Sequence, residues 1–565
     1  MDLRARLLDM KQRSEAAVWR LRTSARVART RGLAEALRAP GLATIVREAA
    51  RGRMNASLIF RFQAANSPHK VALVSPPGAH GAAVERAYSC FELNDTMDRI
   101  ASGLAAKGVR RGDSVLIALK NRPEFILVQA AIGRLGASAV SVSWRSTAPE
   151  MEYIATHSQA RAIVFDVTIE PTIAKALPLF RNIDPSRAFV VGGTLAGHPS
   201  WGDLLAAGAA GFEEASDDAA VVMYTSGTTG KPKGAVRKFQ REVLAHILSF
   251  VEQTPMRAGE IHLAVCPLYH ATAFGFCSIT YILGGTVVVL GEFKPEAFLE
   301  AIERYRVTTT AVVPTMLHRL LELGPEVIRK YDTSSLKVIF TGGAPLSATL
   351  ARDVLDVFGD KLFNFYGATE TGLVTLAGPH DLRASPGTIG RIVPGQEVRL
   401  LDEEGREVAP GQVGELYAKS EQLVAGYHAD EAATRGSMRD GFFSVGDLAR
   451  QDARGCFHIE GRKRDMIITG GINVYPAEVE AVIDAHPAVL EAAVVGVTDR
   501  EWGERVRAYV VLRTGAQVSV DELAWFCAER LAKTKVPRDF RFVEHLPRNP
   551  TGKVLKRELR EREAE

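Results

Sequence analysis

Thr225-Ser-Gly-Thr-Thr-Gly-Lys-Pro-Lys-Gly234 combines three things an anion would need. Gly227 and Gly230 let the backbone turn so that several N–H groups point inward, and the hydroxyls of Thr225, Ser226, Thr228 and Thr229 add donors. Lys231 and Lys233 add positive charge. Such a loop suits a polyphosphate. It is not the nucleotide loop ending in Gly-Lys-Ser/Thr, which needs glycine where Thr225 stands and a hydroxyl where Pro232 stands. A flexible linker is the plain alternative, yet eight specified residues at usages of about 7% match by chance with odds on the order of 10⁻⁹ per window.

Other residues with chemical capacity sit in turns. Glu370 is flanked by Thr369 and Thr371, Asp447 follows Gly446, Lys553 closes Thr551-Gly552-Lys553, and His270 follows Pro267-Leu-Tyr269. Taken singly these are a solvated glutamate, a turn-capping aspartate, an exposed lysine and a packed histidine. The five cysteines, Cys90, Cys266, Cys277, Cys456 and Cys527, form no CxxC pair, so neither a disulfide framework nor a structural zinc site is indicated, and a reducing compartment fits best.

These side chains need a frame. From about residue 56, short β-branched runs alternate with amphipathic stretches. Ser114 to Leu119 reads as a strand, Pro123 to Leu135 as a helix opening at proline, and Ser138 to Val142 as the next strand, a βαβ unit. The alternation recurs at Ala219 to Tyr224, Gly285 to Leu290, Thr308 to Val313 and Lys337 to Thr341, each run apolar enough to be covered on both faces of a sheet. An α/β fold follows. Around Val393 to Tyr417 the texture changes to short strands between Gly, Pro and acidic turns, which predicts a β-rich subdomain. Beyond Gly461-Arg-Lys-Arg-Asp465, helix Pro476 to Ile483, strands Ala492 to Val497 and Arg507 to Leu512, and helix Val520 to Leu531 predict a compact α+β unit. The expected division is an N-terminal extension at 1–55, a large domain at 56–463 and a small C-terminal domain at 464–565.

The phosphate loop and the blocks that follow it resemble the acyl-adenylate-forming superfamily: acyl-CoA synthetases, adenylation domains of peptide synthetases and firefly-type luciferases. The resemblance covers nearly everything after residue 56. Its blocks arrive in the family's order: Pro267-Leu-Tyr-His270, Gly342-Gly-Ala-Pro345, Tyr366-Gly-Ala-Thr-Glu-Thr-Gly372, Gly446-Asp447, Gly461-Arg462 with Gly470-Gly-Ile-Asn-Val-Tyr-Pro476, and Asn549-Pro-Thr-Gly-Lys553.

The resemblance implies two half-reactions. A carboxylate attacks the α-phosphorus of ATP and releases pyrophosphate, then a thiol displaces AMP; the first half is mostly positioning and charge neutralisation. By the same resemblance Thr225, Ser226, Gly227, Thr228, Thr229, Gly230 and Lys231 hold the phosphates, Thr369 touches the α-phosphate, and Tyr366 stacks on adenine beside Gly343, Ala344 and Gly367. Glu370 becomes the Mg²⁺ ligand, helped by Thr225, a set that suits a hard cation shared with substrate phosphates. Asp447 and Arg462 take the ribose, and Lys553 is the adenylation lysine, bridging the attacking carboxylate and the α-phosphate. Arg464 stands at a hinge where relatives most often carry Asp or Lys. The small domain is then mobile, and its rotation brings Gly470 and Gly471 to a tunnel for CoA. His270 becomes a wall or gate of the acyl pocket.

Composition sets outer bounds. Hydrophobic residues at 46% and charged residues at 24% of 565 sit near the globular average, which argues against wholesale disorder. The net charge of +4 is uneven, because residues 1–53 hold 13 Arg or Lys against 5 Asp or Glu. Leu7, Met10, Val18 and Leu21 fall near helical spacing among these arginines, which predicts a basic amphipathic helix able to lie on an anionic membrane. A solvated cap helix is the plainer alternative. Nucleic acid is not an expected partner, since the stretch has Trp19 as its one aromatic. The expected location is the cytoplasm, with peripheral contact at the inner membrane face. Ala271-Thr-Ala-Phe-Gly-Phe-Cys-Ser278 offers no carboxylate to pair with an ammonium, so an apolar acid, a medium- or long-chain fatty acid first, is expected rather than an amino acid. The chain ends close behind Lys553 with no carrier module, which favours CoA as acceptor. The alternatives are an acyl-AMP ligase loading a carrier protein, a luciferase-like oxidation, and a non-catalytic nucleotide-binding scaffold.

Overall fold

In the computed structural model, strand Ser114–Ala118, helix Pro123–Arg134 and strand Ser138–Ser141 form the βαβ unit read from the sequence. The structure describes residues 18–53, 55–78, 84–216, 220–225, 233–238, 243–424, 426–428, 430–549 and 553–562. The chain divides into two compact units: residues up to 311 with 327–339 and 421–436, and residues 312–326, 340–420 and 437 onward.

In the first unit a seven-stranded sheet runs Gly426–Tyr427, Lys233–Lys238, Ala220–Thr225, Ser138–Ser141, Ser114–Ala118, Ala160–Asp166, Ala188–Val191. The last five strands are parallel, with Val115 opposite both Ala139 and Ala162, and the first two are antiparallel. Leu116, Val140, Ile154, Phe165 and Val190 meet in one core. Each such side chain contributes about 1.5–3 kcal/mol by leaving water, which is why the runs reading as apolar on both faces became central strands. A second group of strands in this unit sets Ile261–Ala264 beside Thr286–Val289, and Val71–Ser75 between Thr286–Val289 and Arg86–Ser89.

The second unit carries the β-rich region and the C-terminal strands. Glu397–Leu401, Gly414–Lys419, Asp447–Gln451 and Phe457–Arg462 pair antiparallel in chain order. Toward the C-terminus, Val489–Asp499 and Gly503–Leu512 form a long hairpin, Asp539–Phe542 adds in parallel, and helices Pro476–Asp484 and Val520–Ala528 pack their Val479, Ile483, Leu523 and Cys527 on it. The α/β class expected from the sequence is the class observed.

At the N-terminus the described part of the expected apolar stripe is helical and faces outward. Leu7 and Met10 lie outside the described residues, and Val18 and Leu21 are 43% and 73% exposed. Residues 18–30 are helical but bury Thr23 and Val27 instead. Aromatic packing and ion pairs fix that rotation: Trp19 packs on His246 with ring centroids 5.1 Å apart, Arg20 pairs with Glu421, and Arg26 pairs with Glu252 at 2.6 Å. No helix among the described residues is long and apolar enough to cross a membrane.

Candidate active site

Asp447 opens the strand Asp447–Gln451, Arg462 closes Phe457–Arg462, and the antiparallel register sets the two directly opposite each other. Cross-strand neighbours lie within side-chain reach, and Arg462 Nε meets Asp447 Oδ1 at 3.2 Å. Tyr366, on strand Leu362–Ala368, donates its hydroxyl to Asp447 Oδ2 at 2.8 Å. Burial, and then the Asp447 carboxylate, hold the Tyr366 hydroxyl well above the usual phenol range, so it remains a donor. Each oxygen of Asp447 keeps a further lone pair, enough to accept from a vicinal diol. The turn below is braced by Gly446 N–H on Ser444 Oγ at 3.0 Å and Ser444 Oγ on Glu415 at 2.7 Å.

Lys553 belongs to the same unit. Its N–H donates to Asn549 Oδ1 at 2.9 Å, and its carbonyl accepts from the Asn549 N–H at 2.9 Å, so Asn549 and Lys553 clasp each other. Burial, and then the nearby Arg462 guanidinium, push the Lys553 ammonium down to about 8, with Asp447 opposing. Arg464 lies on the short helix Lys463–Asp465 and is lowered by desolvation and then by Arg462, while the adjacent Asp465 pairs with Arg560 at 2.9 Å. Gly470 and Gly471 form the two-residue turn between Ile467–Thr469 and Ile472–Val474, both at positive φ, which hairpin turns of this length require. A Cβ on Gly470 would lie 2.7 Å from the Trp502 ring.

Thr369 and Glu370 occupy the tip of a hairpin. The strand Leu362–Ala368 leads into this turn and folds back antiparallel as Gly372–Ala377. Ala368 N–H bonds Thr371 Oγ1 at 3.1 Å, and the register shifts between Tyr366 and Gly367. Glycine is required at 367, where a Cβ would lie 2.1 Å from the Gly372 carbonyl. Glu370 is 6% exposed, and its charge bears on Tyr366. No group of three or more His, Cys, Asp or Glu gathers as a metal site among the described residues. A single carboxylate of this kind fits an ion carried largely by phosphate oxygens and water, as magnesium is. Gly343 and Ala344 follow the strand Val338–Thr341.

In the first unit the strand Ala220–Thr225 leads into the phosphate loop and Lys233–Lys238 leads out. Ser226, Gly227, Thr228, Thr229, Gly230 and Lys231 lie outside the described residues, as does the Thr225 side chain. The two flanks are held together. Tyr224 pairs across the sheet with Gly234, whose carbonyl accepts from His428 N–H at 2.7 Å, and the Tyr224 hydroxyl meets His157 Nδ1 at 2.8 Å. His157 packs edge-on against His428 at 5.3 Å. His157→Ala removes one partner of a buried pair, a loss of about 1 kcal/mol or a factor of about five. We expect KM for ATP to rise by about that factor while KM for the acid stays put; equal rises in both, in steady-state pyrophosphate release, would refute a role confined to the nucleotide.

His270, also in the first unit, precedes helix Ala271–Ile282. Tyr269 packs on it with ring centroids 4.3 Å apart, and burial pushes its imidazole down to about 4, so it is neutral at pH 7. Its Nε2 is buried with no hydrogen-bond partner among the described residues. The five cysteines are free and buried; burial pushes Cys266 and Cys277 up to about 12 and Cys527 up to about 11.

The structure thus brings Tyr366, Asp447, Arg462, Arg464 and Lys553 within range of one another's charges in a single unit. Three features were not read from the sequence: the Tyr366 hydroxyl on Asp447, the clasp of Asn549 on Lys553, and the His157 buttress. Asn549 alone left a trace there, four residues before Lys553 in a turn-forming block.

A family model described as AMP-binding enzyme matches residues 60–428, and the AMP-binding enzyme C-terminal domain matches 478–553. A feruloyl-CoA synthase from Amycolatopsis is 36% identical over 88% of this chain and 96% of its own length. A long-chain-fatty-acid–CoA ligase, FadD13, from Mycobacterium tuberculosis is 32% identical over 90% of this chain and 98% of its own. The crystal structure of ATP-bound MatB from Rhodopseudomonas palustris superposes with a TM-score of 0.78 at 32% identity, covering 90% of this chain and 99% of that one. The matched blocks, the fold and these likenesses agree, and the chain belongs to the AMP-binding enzymes, of the acid–thiol ligase type.

Proposed function

We propose that the chain activates a lipophilic carboxylic acid, a medium- or long-chain fatty acid first, as acyl-AMP and passes the acyl group to CoA with release of AMP and pyrophosphate. The observation that carries this reading is Asp447 held by both Tyr366 and Arg462 with Lys553 in range of their charges. In this reading Asp447 accepts from the ribose hydroxyls, Arg462 orients it, and Tyr366 lies under the adenine beside Gly343, Ala344 and Gly367. Residues 225–231 cradle the phosphates and Thr369 donates to the α-phosphate. Lys553 bridges the incoming carboxylate and the α-phosphate as negative charge builds. Magnesium, when bound through Glu370 and Thr225, supplies further charge neutralisation. The CoA arm passes Gly470 and Gly471, where backbone without Cβ permits close approach. Neutral His270 walls the acyl site without adding a cation.

The small domain is taken as 464–565, turning about Arg464 on a large domain of 56–463, with 1–55 an extension. An uncharged helix Ala271–Ile282 supports an apolar acid. The relatives named above act, by their names, on an aryl acid and on long-chain fatty acids, which supports a carboxylic acid and CoA more broadly than it supports one chain length. Buried free thiols support a cytoplasmic setting.

Pyrophosphate release across aliphatic and aryl acids, with and without CoA, tests the whole reading. Turnover with fatty acids that requires CoA is expected. Release with aryl acids alone would overturn the chain assignment, a stall with free CoA relieved by carrier protein would overturn the acceptor, and no release with any acid would leave a scaffold.

The lysine adds a pH signature. An ammonium at about 8 loses its proton as pH rises, so the sign is loss of adenylation on the alkaline side. We expect kcat/KM for ATP to fall about tenfold per pH unit above that value, since kcat/KM reports the free enzyme. Lys553→Arg, protonated throughout, should lack this limb at whatever rate it retains. A wild-type profile flat to about pH 9.5 would exclude Lys553 as the titrating group.

A further inference from the structure

Two helical segments near the N-terminus, residues 18–30 and Ala39–Ala50 with the short helix Leu33–Ala36 between them, leave apolar side chains exposed. Along residues 18–30 the positions Val18, Leu21, Arg22, Ala25 and Arg29 share one face at helical spacing, and all are exposed. In helix Ala39–Ala50, Leu42, Val46 and Ala49 do the same, with Leu42 at 47% and Val46 at 69% exposure. The inward faces are already committed. Thr23 and Val27 are buried in the first helix, and Gly41, Thr44 and Glu48 in the second, where a Cβ on Gly41 would lie 2.6 Å from Asn66. The outward residues therefore have no protein surface left to turn toward.

The charge around them is mostly positive, with Glu35 the one exposed acid of residues 18–53. Residues 18–53 contain nine arginines and two glutamates. Glu48 is buried and bound by Arg53 at 2.8 Å, with Arg47 and Arg51 also on it. Arg22, Arg29 and Arg38 pair with no acid among the described residues. Apolar side chains among unneutralised arginines match the interface of an anionic bilayer, where acyl chains take the Leu and Val and headgroups take the guanidinium groups. A nucleic acid would satisfy the charge but leave Leu21, Leu42 and Val46 in water. It would also find no base-stacking surface, since Trp19 is engaged with His246.

We propose that residues 18–51 form a docking face for an anionic lipid surface, with Leu21, Leu42 and Val46 entering the interface and the unpaired arginines meeting phosphate headgroups. This goes beyond the catalytic reading and does not depend on which acid is activated. The test is sedimentation of the full-length protein with phosphatidylcholine vesicles, with and without phosphatidylglycerol, at low and high salt. Binding to the anionic vesicles alone, weakened by salt, is expected. The double variant L21E and V46E, at positions exposed in the fold, should bind about tenfold or more weakly while pyrophosphate release in detergent-free buffer stays unchanged. No binding to anionic vesicles, undiminished binding by the double variant, or binding to single-stranded RNA in preference to vesicles would each overturn the assignment.

Discussion

Lys553→Ala should slow acyl-adenylate formation by about 10²- to 10³-fold, the usual loss when one charge-stabilising donor is removed from a transition state. It should leave thioester formation from supplied acyl-AMP near the wild-type rate. The asymmetry follows from position. The ammonium shares its surroundings with Arg462 and Asp447, the pair proposed to hold the ribose. Its desolvation lowers its pKa to about 8, and the charge it carries at neutral pH therefore meets little screening water. The turn that presents it is closed by Asn549 through two hydrogen bonds of 2.9 Å, neither involving the side chain being replaced, so folding should be spared. Pyrophosphate exchange reads the first half and acyl-CoA production from synthetic acyl-AMP reads the second. Equal losses in both would refute the role.

Asp447→Asn should raise KM for ATP by about a hundredfold, with a smaller change in KM for the acid. The substitution keeps the shape and an acceptor for Tyr366 but discards the charge. Arg462 then loses its ion pair, and ribose loses an anionic acceptor; hydrogen bonds to charged groups are worth about 1.5–3 kcal/mol each. Tyr366→Phe is the control, because it removes one hydrogen bond to the carboxylate but leaves its charge and its Arg462 partner, so KM for ATP should rise less than in the Asp447→Asn protein. Isothermal titration with a non-hydrolysable ATP analogue would separate binding from turnover. An unchanged nucleotide affinity in the Asp447→Asn protein would show that the Tyr366–Asp447–Arg462 cluster serves the fold instead.

Periodicity made the parallel strands readable, because runs such as Ser114–Ala118 and Thr286–Val289 are buried on both faces and must be apolar throughout. Short spacing made the Thr225–Gly234 and Gly470–Gly471 motifs visible, and residues 226–232 of the first lie outside the described residues. Where legibility failed, register or rotation was the cause. Tyr366 and Asp447 are 81 residues apart, on strands of two different sheets, and meet because Tyr366 packs against the cluster that holds Leu416, Ala418 and Ala449, a relation that no local window contains. Glu370 lies in a turn beyond a strand end as expected, but the return strand Gly372–Ala377 that makes the turn a hairpin was not read. The apolar stripe of the N-terminal helix was legible, but the anchors that set its rotation were not, because the partners of Trp19, Arg20 and Arg26 lie more than 200 residues away.

The buried thiols have a bearing on fidelity. A mixed anhydride is a potent acylating agent, and the nearest sulfur nucleophiles in sequence to the acyl-site histidine are Cys266 and Cys277, four and seven residues from His270. With both held near 12 they remain as thiols rather than thiolates at neutral pH, and the other three are also raised and enclosed. Among the described residues, packing thus leaves no cysteine thiolate to compete with a visiting thiol for an activated acid.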